Sequence, residues 1–439
     1  MSRNEGLLWK HWLQQQERTP NKSVLVDAAK DMAWTERTLT MSALSFSDQL
    51  RSYHAGDRIA FRLPNGPEWM ALFLALQKAG LVALPLDAGM PWEGCLETAR
   101  RIGARAIYLD GEFQSLGKRS VAASRKICCV KITSGSGALP KAIECRAEHL
   151  VADGRNVCRT MGIRSRDVNL AVIPLGHSYG LGNLVLPLIL QGAAMVCAGE
   201  YLPRQLIEWI GRYGVTVFPA VPALLRVLAA LPPGGEKLDS LRKVISAGAV
   251  LTPAVAQAFF ARYGIKVHNF YGSSETGGIC YDRTGSASLT GRSVGKPFEG
   301  VSVTVKGGRI TVESAAVATR SGRWRLNDFG EWNGRGELVL LGRAGQGANI
   351  GGKKVHPLEV ERALRALPGV TDAVVWLWQK DGRDLLAAAV ETTHSRGEIE
   401  RALAARLPAW KLPKTYFIAR ELPRTSRGKL DLAALKEQT

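Results

Sequence analysis

Short apolar runs alternate with longer helical patterns through roughly the first 340 residues of the chain. DRIAFRLPN (Asp57–Asn65) alternates apolar and polar side chains as a strand does. EWMALFLALQKAG (Glu68–Gly80) reads as a helix ended by glycine, and LVALPLD (Leu81–Asp87) as the next strand. AAMVCAG, VTVFPAV and KVISAG read as strands buried on both faces, with helical segments between them. This alternation predicts an α/β fold whose large N-terminal body is built of substantially parallel sheets covered by helices. In such sheets, ligands sit in the loops that follow the carboxyl ends of strands.

The texture changes near Gly342. Five glycines fall within Gly342–Gly352, which suits a hinge or a close approach of backbone. Beyond it PLEVERALRAL and GEIERALAARL are helical, while DAVVWLW, LLAAAVET and TYFIAREL are strand-like. About 95 residues of this kind suffice for a small α+β domain. The expected organisation is therefore an N-terminal domain over 1–341 and a mobile C-terminal domain over 342–439, hinged near 342–346.

The chain has 439 residues, 46% hydrophobic and 22% charged, the balance of a globular protein able to bury a large core. A net charge of +19 attracts polyanions such as nucleotides, coenzyme A or acidic carrier proteins. The basic residues are scattered and no nucleic-acid motif accompanies them, so nucleic acid is not the expected partner. Seven cysteines without a CxxC pair indicate neither a disulfide framework nor a zinc site and fit a reducing cytoplasm. Cys128 and Cys129 read as small core residues. The N-terminus lacks the pattern of a signal peptide. The longest charge-free stretch, Val168–Gly199, contains two prolines, His177 and five glycines. It reads as a buried strand and a core helix, not a membrane span.

Three segments carry candidate chemistry. In Ile132–Lys141, small hydroxyl and glycine residues (Thr133, Ser134, Gly135, Ser136) let backbone N–H groups close around phosphate oxygens, and Lys141 adds a cation. The GK[ST] ending of a Walker A loop is missing. Asn269–Gly277 combines Tyr271, able to stack on a purine, with the tight turn at Gly272, a Ser274 hydroxyl able to bind phosphate and a Glu275 carboxylate able to hold Mg²⁺; an ordinary strand-to-loop turn with a solvated glutamate is the alternative. Near the C-terminus, Pro423–Asp431 places Lys429 on a glycine-supported loop that can reach a site in another domain.

Together, in this order, these segments resemble the adenylate-forming superfamily: acyl-CoA and aryl-CoA ligases, luciferases and the adenylation domains of peptide synthetases. GDRIA with LPN, KAGLVALPLD, the Thr133–Lys141 loop, Pro174–His177 with Gly180-Leu181, Ala247–Ala249, Asn269–Glu275, Asp328, Gly342-Arg343, GGKKVHPLEVE and LPRTSRGKLD each match a motif of that superfamily, across nearly the whole chain. The resemblance implies ATP and Mg²⁺ as cofactors. Thr133, Ser134 and Ser136 would wrap the β- and γ-phosphates; Gly248, Ala249 and Tyr271 would enclose adenine. Asp328 would bind the ribose hydroxyls, Arg343 ribose or phosphate, Ser274 the α-phosphate, and Glu275 the metal. Asn269, Gly135 and Gly272 belong to the same ATP-binding segments. Lys429 would bridge substrate carboxylate and α-phosphate. Gly351, Gly352 and Lys354 would line the thiol channel. His177, with Ser178, Tyr179 and Gly278, would border the acyl pocket, His177 lying between pocket and channel. Thr133, Glu275 and Asp328 are therefore expected around one nucleotide-sized hollow.

Some positions depart from the superfamily pattern. Gly137 and Ala138 replace the usual threonine and glycine of the phosphate loop, which removes a hydroxyl donor. The TGD tripeptide reads Leu326-Asn327-Asp328, and the hinge aspartate is replaced by Gly345, followed by Gln346. The chain is also trimmed between Leu86 and Thr133 and after Gly278 relative to the superfamily. HSYGLGNLV has no acidic residue to pair an α-amine, so the implied substrate is an aryl or fatty acid and not an α-amino acid. The acceptor is coenzyme A or the phosphopantetheine of a discrete acidic acyl carrier protein. The other readings are an inactive or regulatory adenylate-binding homologue, a luciferase-like oxygenase, for which nothing suggests oxygen chemistry, and a nucleic-acid binder, which fits the charge alone.

Overall fold

The computed structural model describes residues 6–117, 126–133, 141–197, 199–232, 234, 238–343, 348–350, 353–380, 383–424 and 430–437. Six parallel strands form the middle of the larger sheet. In spatial order they are Val267–Ser273, Lys243–Ser246, Val217–Ala220, Val168–Ala171, Ala194–Cys197 and Ser23–Asp27. Antiparallel strands close both edges: Met32–Thr35 at one, and Gly277–Tyr281 with Lys296–Pro297 at the other. Ala194–Cys197 and Val217–Ala220 are buried at all four residues, as uninterrupted apolar strands in a doubly covered parallel sheet must be.

A second sheet repeats the plan. Ala106–Leu109, Arg58–Phe61, Val82–Pro85 and Ile127–Thr133 run parallel, with Glu112–Ser115 and Lys141–Arg146 antiparallel at its edges. Between the two sheets lies the helix Pro67–Ala79. Proline at its first turn fixes its start, and Gly80 ends it at φ 68°, a backbone angle that L side chains resist. Every residue from Trp69 to Gln77 is buried, which explains why this helix has apolar side chains all round. Met70, Phe73 and Leu74 share one core with Val24 and Leu25 of the larger sheet and Ile59 and Phe61 of the smaller.

The charge-free stretch is likewise core. After the strand Val168–Ala171 comes a loop, then a continuous helical run from Ser178 to Gln191 whose middle, Leu181–Val185, is π-helical. Among the described residues no helix is long and apolar enough to cross a membrane.

The alternating pattern did not reveal the antiparallel sheet Ser302–Lys306, Arg309–Glu313, Arg323–Trp332 and Leu338–Arg343. Its strands are half exposed and rich in Arg, Lys, Thr and Glu, so they lack the apolar runs that mark the buried strands. Beyond it, Val370–Lys380, Arg383–Thr392 and Thr415–Ala419 form a separate sheet, on which the helices Pro357–Arg365 and Arg396–Ala404 pack around their own core of Val360, Leu364, Val390 and Leu403. Gly345 and Gln346, at the expected hinge, lie outside the described residues.

This C-terminal unit is tied to the body by charge. Arg226, on the helix Pro222–Ala229, pairs with Asp372 at 3.2 Å and with Glu391. Arg424 meets the same two carboxylates at 3.0 and 2.9 Å.

Candidate active site

The carboxyl ends of the parallel strands of both sheets open into one cleft of about 1930 Å³. Asn65 and Asp87 enter it from the smaller sheet, Gly176 and Gly248 from the larger. Pro357, Arg362 and Trp376 of the C-terminal unit line its far side. Asn65 fixes how the two sheets meet: its Nδ2 donates to the carbonyls of Ala171 and Ile173 at 2.8 and 2.9 Å, while its Oδ1 accepts from the Leu175 N–H at 2.9 Å. One side chain thus holds the loop that presents His177 to Tyr179.

Thr133, Glu275 and Asp328 all line this cleft. Asp328 and Arg343 are cross-strand partners, and Arg343 Nε donates to Asp328 Oδ1 at 2.6 Å. Tyr271 Oη donates to Asp328 Oδ2 at 2.6 Å. Burial and the adjoining Asp328 carboxylate push the Tyr271 phenol well above its ordinary pKa, so it stays a donor. Burial opposes the Arg343 charge, but Asp328 outweighs it and holds the guanidinium protonated. The arrangement is a fixed fork of donor, carboxylate and cation, suited to a polyhydroxylated, anionic ligand. Gly248 and Ala249 follow the strand Lys243–Ser246 into the same cleft; φ of 83° at Gly248 makes glycine the fitting residue there. Asn269 and Gly272 line the cleft from the neighbouring strand.

Thr133 is the last residue of its strand and pairs with Lys141 on the returning one, and both residues line the cleft. Ser134, Gly135 and Ser136 lie outside the described residues. Ser274 Oγ accepts from Ser178 Oγ at 2.7 Å, which joins the turn after Tyr271 to the loop after Leu175. The Glu275 carboxylate lines the cleft and makes no hydrogen bond or ion pair among the described residues. No group of three or more His, Cys, Asp or Glu among the described residues is placed to hold a metal by itself. A lone free carboxylate nonetheless fits Mg²⁺, which keeps several waters and takes its other ligands from phosphate oxygens.

On the other side, His177 Nε2 lies 3.3 Å from Asp87 Oδ2. Tyr179 Oη donates to the Ile245 carbonyl at 3.1 Å, and its ring meets Phe270 with centroids 5.5 Å apart. The Gly278 N–H donates to Asp153 Oδ1 at 3.0 Å, and a Cβ at Gly278 would come within 2.4 Å of the Phe298 ring. Gly351, Gly352 and Lys429 lie outside the described residues; Lys354 belongs to the strand Lys353–Val355.

Asp87, Asp153 and Asn183, which line the cleft, and Lys131, bonded to the Ser274 carbonyl, were not singled out from sequence. Asp87 closes the LPLD run, and Lys131 interrupts the apolar strand ICCVKIT, a charge out of place that was the available signal. Lys131 is 4% exposed and its Nζ donates to the Ser274 carbonyl at 3.4 Å.

The chain matches the family model of AMP-binding enzymes over residues 12–124 and 109–311, and that of the AMP-binding enzyme C-terminal domain over 359–429. It is 24% identical to a feruloyl-CoA synthase of Amycolatopsis sp, covering 98% of each chain. It is also 24% identical to a long-chain-fatty-acid–CoA ligase of Mycobacterium tuberculosis, covering 97% of this chain and 98% of the other. Among solved structures, ATP-bound MatB from Rhodopseudomonas palustris superposes with a TM-score of 0.84 at 21% identity, over 100% of this chain and 99% of that one. The o-succinylbenzoate CoA synthetase of Bacillus subtilis in complex with its acyl-adenylate intermediate superposes with a TM-score of 0.81 at 21% identity, over 97% of each. With both family models matched in order along a chain whose parallel sheets end in a common cleft, the protein belongs to the AMP-binding, adenylate-forming enzymes.

Proposed function

We propose that the protein activates a carboxylic acid, aryl or fatty and not an α-amino acid, as its acyl-adenylate, and passes the acyl group to the thiol of coenzyme A or of a discrete acyl carrier protein. The supporting observation is the single cleft lined by Thr133, Glu275 and Asp328 on one side and His177 to Tyr179 on the other, with the Ser178–Ser274 hydroxyl bond between them. The relatives named above, a feruloyl-CoA synthase and a long-chain-fatty-acid–CoA ligase, support the substrate class and the acceptor.

In the first step a substrate carboxylate oxygen attacks the α-phosphorus of ATP. The bond to the bridging oxygen breaks, and pyrophosphate leaves with its electron pair. The work of the protein is positioning and charge neutralisation. Asp328 holds the ribose, Arg343 ribose or phosphate, Gly248, Ala249 and Tyr271 the adenine. Thr133, Ser134 and Ser136 hold the β- and γ-phosphates, Ser274 the α-phosphate, and Lys429 the charge shared between carboxylate and α-phosphate. Mg²⁺ on Glu275 would supply further neutralisation of the phosphates. In the second step a deprotonated thiol attacks the acyl carbonyl and AMP leaves, giving the thioester. The unit after residue 342 turns about the 342–346 segment between the steps, withdrawing Lys429 and bringing Gly351, Gly352 and Lys354 to the adenylate. A reducing cytoplasm is the compartment proposed, from the unpaired cysteines.

ATP–pyrophosphate exchange over a panel of aryl, fatty and amino acids tests the proposal. Strong exchange with an aryl or fatty acid is expected. Exchange with amino acids alone overturns the substrate, and exchange with none favours an inactive adenylate-binding homologue. Lys429→Ala is expected to abolish exchange while sparing thioester formation from supplied acyl-adenylate; the reverse pattern overturns the role of Lys429.

A further inference from the structure

The cleft contains buried polar groups that neither nucleotide nor thiol explains. Asp153, on the helix Ala147–Met161, is 4% exposed and lines the cleft. Its Oδ1 accepts from the Gly278 N–H, while Oδ2 accepts no hydrogen bond among the described residues. The surrounding backbone is shaped around this carboxylate: a Cβ on Gly277 would come within 2.1 Å of Oδ1, and one on Gly182 within 3.2 Å of Oδ2. Asn183 follows on the π-helical turn, a geometry that recurs at functional sites. It is fully buried and lines the cleft; its Nδ2 donates to the Met161 thioether at 3.3 Å, and its Oδ1 has no partner. A buried acceptor without a partner at Asn183 is costly unless a ligand donates to it, and the second oxygen of Asp153 is open to a donor in the same cleft.

We infer that Asp153, with Asn183 lining the same cleft, receives a neutral hydroxyl at the end of the acyl substrate remote from its carboxylate, so that the enzyme selects hydroxylated acids. This rests on the acid-activating reading above. The location follows from the partners of Asp153. Gly278, which donates to it, and Gly182, which packs against it, line the cleft together with Tyr179 and Phe270, whereas the Tyr271–Asp328–Arg343 fork is built on other partners. The sign follows from Lys131, buried nearby and coupled electrostatically to Asp153. The two charges offset one another. A substrate ammonium would gain Asp153 but be repelled by Lys131, and a second carboxylate would be repelled by Asp153. A hydroxyl donates to Asp153 without disturbing that balance. The Tyr179 and Phe270 rings, which line the same cleft, offer an apolar wall for the rest of the acid.

The test is ATP–pyrophosphate exchange with matched acids: para-hydroxybenzoate against benzoate, para-hydroxycinnamate against cinnamate, and a medium-chain fatty acid against its omega-hydroxy and omega-ammonium derivatives. In the best-used skeleton the hydroxylated acid is expected to exceed the plain one in kcat/KM by about 10- to 100-fold. Asp153→Leu should bring that ratio to within about threefold of unity, and Asp153→Asn, which keeps the size and an acceptor, should lower it less. The ratio is read within each variant, so a general loss of activity does not move it, and the unsubstituted enzyme decides the matter if the leucine variant does not fold. A plain acid used as well as its hydroxylated partner, a preference for the ammonium derivative, or a ratio unchanged in both variants overturns the assignment. Absence of exchange with every acid overturns the acid-activating reading instead.

Discussion

Asp328 shows how one residue ties the site together. Its two oxygens accept from Tyr271 and Arg343, each at 2.6 Å, so it stands ready as an oriented acceptor without having to reorganise. Replacing it with asparagine keeps the shape but removes the charge that orders both neighbours. A hydrogen bond to a charged group is worth about 1.5–3 kcal/mol, so Asp328→Asn should raise the KM for ATP by roughly 10- to 150-fold, with a smaller change in kcat. Initial-rate exchange at varied ATP measures this, and an unchanged KM would remove Asp328 from the nucleotide site. Asp328 was legible in the sequence from its place in the order of segments, although the two residues before it depart from the superfamily pattern. Asp153 was not, since an acidic residue in an amphipathic helix reads as an exposed one until the packing shows it buried.

At the scale of elements, the hairpin Val267–Ser273 with Gly277–Tyr281 brings Tyr271, proposed to enclose the adenine, and Gly278, proposed to border the acyl pocket, within a few residues of each other. It does so through a backbone that only glycine tolerates at 277, where φ is 71° and any Cβ would run into Asp153. Gly162, at the end of the helix Ala147–Met161, has φ of 64° but open space around it. Gly162→Ala is therefore expected to lose about 1 kcal/mol from backbone strain alone. Gly277→Ala should lose about 3 kcal/mol or more, because strain and collision add. Urea unfolding of the two variants gives the comparison, and equal losses would contradict the close approach of Asp153. The helix at Pro67–Ala79 was readable from its proline, its glycine and its apolar run, whereas the π-helical turn at Leu181–Val185 leaves no mark in an apolar sequence.

For the whole molecule, the contact between body and C-terminal unit is ionic where it is best defined. Arg226 and Arg424 share the carboxylates of Asp372 and Glu391, 8% and 3% exposed at the side chain. Burial opposes the charge on Asp372, but Arg365 and Arg424 outweigh it and hold its pKa below the ordinary carboxylate value. Its contribution within the C-terminal unit is therefore complete above about pH 3.9 and is lost only as pH falls through the lower folded value, so the carboxylate that Arg226 meets is charged at neutral pH. Arg226→Met leaves one fewer cation on two buried carboxylates. It should speed proteolytic cleavage in the segment 344–352 by about tenfold, the effect of 1.4 kcal/mol. Digestion followed by mass spectrometry measures the rate, and a rate equal to that of the parent chain would show that Arg226 does not hold the unit in place.

By itself the sequence determined the local elements and the order of the chemical segments. Apolar periodicity, proline starts, glycine ends and hydroxyl-rich loops are properties of neighbouring residues and survive without a fold. Only the tertiary structure decided which distant residues meet. Asn65 grips a loop more than a hundred residues away, His177 faces Asp87, and Lys131 reaches beneath Ser274. Periodicity tells whether a side chain faces inward. What it meets there depends on how two sheets, sharing a helix between them, turn their strand ends toward one cleft.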